Sequence, residues 1–192
     1  MINKDKIMTK KDLLSLFNCE DIRMLPEAML PVVLTDDDHR TSVYEELLYL
    51  NDYDVSYDWF QNIYEGEQSE RKEKKQDFTP DCVSRLASEL TGTIDGSTYE
   101  PTAGNGSMLI ADWWRKVLAH FPWDYYPSKN RIECWELSSR SIPILLLNLS
   151  IRGIVGTVHH GDVLTQQERA RYELINPFDD HLSFSLIKSI SL

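Results

Sequence analysis

The residues whose types and spacing could do chemistry lie in one short segment and at two acidic positions after it. Gly104 and Gly106 follow a short strand pattern and stand directly before a helical pattern that begins near Met108. Glycines in this place let the backbone turn tightly and approach a ligand closely. The helix behind them offers unpaired N–H groups to that ligand. Glu136 and Asp162 stand at the ends of the next two predicted strands, where carboxylates can accept hydrogen bonds from hydroxyl and amino groups such as those of an adenosine.

The strands and helices predicted after residue 97 would bring these positions together. The pattern predicts strands at 98–100, 131–137 and 155–159, with helices at 108–118 and 138–151 between them. This alternation is typical of a parallel, doubly wound α/β sheet, whose ligands bind beyond the carboxyl ends of the strands. The glycine spacing differs from the dinucleotide fingerprint and the sequence contains no Gly-Lys-Ser/Thr, so neither a nicotinamide site nor a P-loop is predicted.

The first third of the chain has a different composition, and we predict a separate acidic, mainly helical segment over residues 1–70. It carries sixteen acidic and six basic side chains, whereas the remaining residues carry fifteen and fourteen. Helical patterns cover 9–18, where Thr9 is the expected N-cap, and 42–50. Such a surface repels a phosphate backbone. It is either a solubilising cap or a face that mimics nucleic acid or docks a basic partner.

A charged, polar run at 65–75 is the predicted linker, and the second domain is predicted to cover residues 76–192. Just before the linker, residues 51–64 mix acids with tyrosine, tryptophan and phenylalanine. Because base stacking is disfavoured beside so many carboxylates, we expect these aromatic side chains to pack locally.

Several functional classes are excluded by what the sequence does not contain. It has no apolar run of the ~20 residues that a membrane helix needs, and no apolar signal core follows the N-terminus. Three widely spaced cysteines indicate reduced thiols and a cytoplasmic protein. His159 and His160 have no partner at metal-ligand spacing, so no metal site is predicted and both are interpreted as strand-end residues.

Four elements stand in order along the second domain: Asp77-Phe78-Thr79-Pro80, Glu100 to Ser107, Glu136, and Gly161 to Leu164. Together they resemble the adenine-N6 DNA methyltransferases related to the modification subunits of type I restriction systems, over roughly residues 76–165. The resemblance implies a Rossmann-like, S-adenosylmethionine-dependent methyltransferase sheet, truncated at its C-terminal side and preceded by the acidic helical segment. It also implies S-adenosyl-L-methionine as the cofactor.

The same resemblance assigns roles to individual residues. The Phe-Thr-Pro element would help hold the methionine end of the cofactor, and the glycine loop would cradle it. Glu136 would bind the ribose, and Asp162 would approach the adenine ring. The cofactor-binding residues implied in this way are Phe78, Thr79, Pro80, Glu100, Thr102, Ala103, Gly104, Asn105, Gly106, Glu136, Leu137, Asp162 and Val163.

The catalytic element of that family, Asn/Asp-Pro-Pro-Tyr/Phe, follows a fourth strand and holds a flipped adenine. The similar residues here are Asn176, Pro177 and Phe178, after a short predicted strand at 172–175, and one proline is missing. If they are catalytic, Asn176 orients the amino group and Phe178 stacks on the base. The alternative is a surface loop that contains Asn-Pro. Because 14 residues follow Phe178, we expect neither the remaining strands nor a target-recognition domain.

The function expected from these features is methyl transfer to adenine N6 in DNA, with a partner, such as a restriction–modification subunit, for target recognition. We expect the isolated chain to bind DNA weakly. The alternative from another class is a catalytically inactive binding protein with the methyltransferase fold, such as a phage-type or plasmid-type antirestriction factor. A third hypothesis is methylation of protein or RNA through the same pocket.

Overall fold

The computed structural model describes residues 8–61, 63, 79–91 and 93–191. The first third contributes helices α1 (Lys10–Leu16), α2 (Leu25–Leu34) and α3 (Asp38–Leu50). The remainder alternates strands and helices in the order α4 (Asp81–Thr91), β1 (Thr98–Glu100), α5 (Ser107–Leu118), β2 (Ile132–Glu136), α6 (Ser141–Ser150), β3 (Gly156–Asp162), β4 (Gln167–Ile175) and β5 (Leu186–Ile190). The predicted mixed α/β class is confirmed. Within the described ranges, no helix has the length and apolar character needed to cross a bilayer.

The five strands lie side by side in their chain order. β1, β2 and β3 are parallel, whereas β4 and β5 run antiparallel to their neighbours. Right-handed crossovers then place α5 and α6 on one face of the sheet. The predicted parallel arrangement is confirmed for β1 to β3. The sheet is not doubly wound, because the strand order does not reverse within the described sheet and the chain makes a hairpin after β3. The expectation of no further strand after Phe178 is also wrong, because Leu186–Ile190 form β5 and pair with β4.

Helix α6 is buried along its whole length, which the sequence explains. Six consecutive apolar residues at 142–147 place apolar side chains on every side of the helix, so one face packs on the sheet and the opposite face needs a second cover. The helices of the first third supply that cover, since α2 packs on α6 and the Tyr44 hydroxyl in α3 donates a hydrogen bond to Ser150 Oγ at 3.0 Å. Arg40 also donates to the Ser185 carbonyl at 3.3 Å. The two predicted domains therefore share one core.

The helix ends follow local rules in most places. Thr9 caps α1, and its side chain and that of Asp12 each accept the other residue's backbone N–H. α3 begins at Asp38, four residues before its predicted start, because Asp37 caps it by accepting from the Arg40 amide at 2.8 Å. Proline usually interrupts a helix, yet both Pro26 and Pro31 lie within α2. Pro26 sits in the first turn, where a missing N–H costs nothing.

Candidate functional site

The loop between β1 and α5 is built on two glycines with left-handed backbone. Gly104 has φ of 56° and Gly106 has φ of 92°, conformations that other residues adopt only with strain. The loop is tied to the next strand because the Ala103 amide donates to the Trp135 carbonyl at 2.9 Å. A Cβ on Gly104 would meet no atom within 4 Å, so this part of the backbone faces open space. A ligand can therefore reach the chain closely at Gly104.

Gly106 serves packing rather than access. A Cβ at this position would lie 2.9 Å from Leu145 Cδ1 on α6. The glycine thus lets α5 start directly against α6, and its carbonyl accepts from the Ile110 amide at 2.9 Å in the first turn of the helix. The two glycines of the loop have different physical reasons for being glycine.

Glu136 ends β2 and is almost fully buried. Its Oε2 accepts from the Gly104 amide at 2.7 Å, and its Oε1 accepts from the Ser138 amide at 2.6 Å. Each carboxylate oxygen keeps a second lone pair, so the side chain can also accept from hydroxyl groups of a ligand. The structure brings Glu136 and the glycine loop together as the sequence predicted.

Asn105 carries a buried polar atom without a partner. Its side chain is 4% exposed, and Nδ2 has no hydrogen bond within the described part of the chain. A buried amide of this kind costs free energy until a partner accepts from it. The atom lies in the loop between Gly104 and Gly106, so a bound ligand is one way to satisfy it.

Asp162 and Val163 lie at the carboxyl end of β3, on the same edge of the sheet as Glu136. Asp162 Oδ1 accepts from the amides of Leu164 at 2.9 Å and of Thr165 at 3.4 Å, so this side chain shapes the turn into β4. Its Oδ2 and its half-buried position leave it able to meet a ligand. Gly161 allows β4 to come close, since a Cβ there would lie 2.2 Å from the Gln167 carbonyl.

The remaining predicted cofactor residues fall into two groups. Glu100 ends β1, and burial raises the pKa of its carboxyl against the opposing hydrogen bond from the Thr102 amide. Leu137 is exposed beyond β2, and its carbonyl accepts from Arg169 at 3.2 Å. Thr79 and Pro80 precede α4, which packs against α5, and Phe78 lies outside the described residues.

A cavity of about 250 Å³ lies beside β1, between α4 and α5. Glu100, Met108 and the buried hydroxyl of Ser84, which has no hydrogen-bond partner among the described residues, line part of it. The mixed lining suits a ligand with polar and apolar parts.

The two histidines of β3 take part in local contacts. The His159 ring stacks on Trp135 with centroids 4.5 Å apart, and its Nδ1 is paired with Glu168. His160 Nε2 lies 3.2 Å from Ser139 Oγ, and burial, together with Arg169, lowers the pKa of the ring. Both histidines therefore have structural partners inside the fold.

Asn176, Pro177 and Phe178 are not brought to this edge. They follow β4, and Leu174 near its end pairs with Gly156 at the start of β3. Because β4 is antiparallel, the three residues lie at the amino edge of the parallel strands, about 20 Å along β3 from Asp162. The expected meeting of this element with the cofactor residues is not found.

The contacts of Asn176 show what it does instead. Its amide donates to the carbonyls of Gly153 at 3.2 Å, Asp180 at 2.6 Å and Ser183 at 3.2 Å, and its Oδ1 accepts from the Phe178 amide at 3.2 Å. The side chain of Phe178 is 77% exposed. Asn176 thus holds the loop between β4 and β5.

Three polar residues behind the glycine loop were missed by the sequence reasoning. They are Asp58, Asn148 and Arg152, all of them buried. A signal was present, because Asn148 interrupts the apolar run of α6 and Asp58 stands among aromatic residues. Polar residues buried in apolar surroundings are usually hydrogen-bonded to one another. Of the aromatic residues predicted to pack locally, Trp59 and Phe60 are buried in the core, whereas Tyr53 is 65% exposed.

Comparisons with known proteins complete the description of the site. No curated protein matches the sequence. Two solved structures are similar to part of this chain. One is described as a modification subunit of a type I restriction enzyme, and the other as the methyltransferase subunit of a type I restriction-modification system. The one from Vibrio vulnificus YJ016 is 13% identical with a TM-score of 0.49, and the match covers 68% of this chain and 25% of that one. The one from Streptococcus thermophilus is 20% identical with a TM-score of 0.42, and the match covers 67% and 28%.

This chain therefore matches about a quarter of the length of each of these two solved chains. The family model described as N-6 DNA Methylase matches residues 55–181, from the run before the linker to the loop after β4. The matched range contains the glycine loop, Glu136 and Asp162, and it is well over half of the sequence. The chain belongs to the N-6 DNA methylase family.

Proposed function

We propose that this chain binds S-adenosyl-L-methionine at the carboxyl ends of β1, β2 and β3 and forms the cofactor site of a DNA adenine-N6 methyltransferase. The observation that carries the proposal is the bond between Gly104 and Glu136, because it preforms a loop and an acid at neighbouring strand ends. When bound, the cofactor supplies an activated methyl group.

The residues at this edge fit such a ligand. Gly104 offers open backbone, and the unpaired Nδ2 of Asn105 offers a donor. The spare lone pairs of Glu136 can accept from ribose hydroxyls, and Asp162 can accept from the adenine amino group. In this proposal these groups position the ligand, because direct attack of the adenine amine on the methyl group requires alignment more than a strong base.

We also propose that recognition of DNA depends on a further polypeptide, either a partner subunit or another domain. Residues 1–70 carry ten more acidic than basic side chains, and such a surface repels phosphate. The Asn176 element lies at the far edge of the sheet, so the group that holds the adenine must come from elsewhere. On this proposal the isolated chain binds duplex DNA weakly, with an affinity that falls steeply as salt rises.

A second candidate is favoured by the position of Asn176. A non-enzymatic binding protein, such as an antirestriction factor, would keep the fold and its acidic face and would not need an adenine-holding element. Such a protein would bind a restriction–modification complex and transfer no methyl group under any condition.

The experiment that tests the first proposal is calorimetric titration of the chain with S-adenosylmethionine and with S-adenosylhomocysteine. It is followed by transfer of labelled methyl groups to unmethylated DNA, with and without a type I specificity subunit. We expect binding by the isolated chain and transfer only when a recognition subunit is present. Binding without transfer in either condition supports the second candidate, and no binding of either ligand contradicts the first proposal.

A further inference from the structure

Asp58 lies behind the glycine loop although it belongs to the first third of the chain. Its carboxylate is 4% exposed. Oδ1 accepts from the amides of Phe60 at 3.0 Å and of the Asn148 side chain at 2.9 Å. Oδ2 accepts from Ser107 Oγ at 3.3 Å. Ser107 is the first residue of α5, so one carboxylate joins residues before the predicted linker to the start of the helix that follows the loop.

Asn148 connects the same carboxylate to the loop itself. Its Nδ2 donates to Asp58 Oδ1 and also to the Asn105 carbonyl, each at 2.9 Å. The loop is therefore held from behind at two points, the backbone of Asn105 and the hydroxyl of Ser107. These two points lie on either side of Gly106. On the β2 side of the loop, Glu136 accepts a hydrogen bond from the Gly104 amide.

Arg152 keeps this arrangement in place. Its Nη1 donates to the backbone carbonyl of Asn148 at 2.8 Å and to Oδ1 of the same residue at 3.1 Å, which fixes the orientation of that amide. Nε and Nη2 donate to the carbonyls of Val55 at 2.8 Å and Tyr57 at 2.6 Å, and the guanidinium lies 4.8 Å from the ring centroid of Trp59. The segment that carries Asp58 is thereby fastened to α6.

The need for such support follows from the glycines. A glycine loop has more backbone freedom to lose than any other loop, so a ligand that orders it binds less tightly. A loop that is already held in the bound geometry avoids that loss. A buried carboxylate near the N-terminus of α5 is also favoured by the helix dipole.

We propose that Asp58 is a positioning residue for cofactor binding, acting through Asn148 and Ser107 to hold residues 104–107 in the conformation that receives the ligand. The inference rests on the proposed function in one respect, that the cofactor binds at this loop. It gives the segment before the linker a second role beside its charge, because the affinity of the site then depends on residues that the sequence assigned to a separate domain.

The alternative is that Asp58 only stabilises the fold, and the two roles differ in what a substitution changes. If Asp58 positions the loop, Asp58→Ala speeds amide hydrogen exchange at residues 104–107 in the ligand-free protein by about tenfold or more and leaves exchange in β3 unchanged. It also weakens the binding of S-adenosylhomocysteine by about tenfold, the loss expected for one or two hydrogen bonds.

Asp58→Asn is the rescue variant. Its oxygen can still accept from Phe60 and Asn148, and its amide can donate to Ser107 Oγ, so exchange and affinity should return to near the original values. Glu46→Ala removes an exposed acid of α3 and is the matched control, with no expected change in either measurement. If Asp58→Ala does not fold, Ser107→Ala removes one of the same bonds and should accelerate loop exchange to a smaller degree.

Equal acceleration in the loop and in β3, unchanged loop exchange, or failure of Asp58→Asn to rescue would each overturn the inference. Because hydrogen exchange is measured without ligand, it decides the positioning role even if the unaltered protein binds no S-adenosylhomocysteine. That last outcome would contradict the proposed function instead.

Discussion

The backbone amide of Gly104 donates to Glu136 Oε2 at 2.7 Å, and this bond joins the carboxyl ends of β1 and β2. Glu136, which the sequence pattern predicts to bind the ligand, therefore also holds the glycine loop in place. Its other oxygen holds the Ser138 amide at the start of the turn into α6. Structural and binding roles of Glu136 are coupled, and experiments on it must measure both.

Glu136→Gln should lower the free energy of unfolding by about 1–3 kcal/mol, because glutamine has one acceptor for two buried backbone donors and turns its NH₂ toward the other. It should weaken S-adenosylhomocysteine binding as well. Urea unfolding and calorimetry on the same preparation test both effects. An unchanged unfolding free energy would show that the two backbone bonds contribute nothing.

Alanine at the two loop glycines should affect different properties, mainly stability at Gly106 and ligand binding at Gly104. Gly106→Ala combines a left-handed backbone with a Cβ 2.9 Å from Leu145, so we expect a loss of stability of about 2–4 kcal/mol. Gly104→Ala has open space around its Cβ and should cost about 1–2 kcal/mol from backbone strain, yet it should abolish ligand binding. Thermal unfolding and ligand titration of both variants check the contrast, and retained affinity in Gly104→Ala would contradict it.

Asn176→Ala should destabilise the fold without affecting the cofactor. Removing its amide leaves three backbone carbonyls without this donor, and we expect a loss of about 2–3 kcal/mol in the free energy of unfolding. Phe178→Ala, at an exposed side chain, should change neither stability nor affinity. Loss of methyl transfer in a correctly folded, cofactor-binding Phe178→Ala protein would show that Phe178 takes part in catalysis.

Asp112 on α5 should make stability depend on acid. Burial alone would raise its pKa, but hydrogen bonds from Lys116, Thr98 and Arg115 outweigh burial and lower it. The stabilisation is therefore present above the ordinary pKa of about 4 and is lost as the pH falls through the lowered value. At pH 7, Asp112→Asn should cost roughly 3 kcal/mol, because it leaves the buried Lys116 without its carboxylate.

The acid dependence is measured by urea unfolding of the original protein and of Asp112→Asn between pH 7 and pH 2.5. The difference between the two free energies should shrink toward the acid end. A difference that stays constant with pH would mean that the carboxylate charge at this position does not contribute.

The parts of the fold that were predictable from the sequence are those where local chemistry decides. The sequence predicts that Thr9 caps a helix, that the glycines follow a strand and that residues 138–151 contain a helix, and the structure agrees in each case. The sequence predicts only residues 172–175 of β4 and no hairpin, because the turn at 163–166 contains no glycine or asparagine. Asp162 supplies that turn by accepting two backbone amides, and Gln166 adopts a left-handed backbone with φ of 56°.

The Asn176 element shows why the candidate site was harder to predict than the fold. A motif is recognised by its letters, whereas its place depends on the direction of the strand before it. One antiparallel pairing moves the element to the opposite edge of the sheet. The contacts of Asp58 cannot be predicted from the sequence either. Asp58 lies 90 residues from Asn148 in the chain, and their contact depends on how the first third packs against α6.

Direct titration tests most plainly whether the edge formed by Gly104, Glu136 and Asp162 binds S-adenosylmethionine. Calorimetric titration of the isolated chain with S-adenosylhomocysteine should show saturable binding at one site per chain. Gly104→Ala should abolish that binding, while Phe178→Ala should leave it unchanged. Absence of binding by a folded protein, or binding that survives Gly104→Ala, would contradict a cofactor site at this edge.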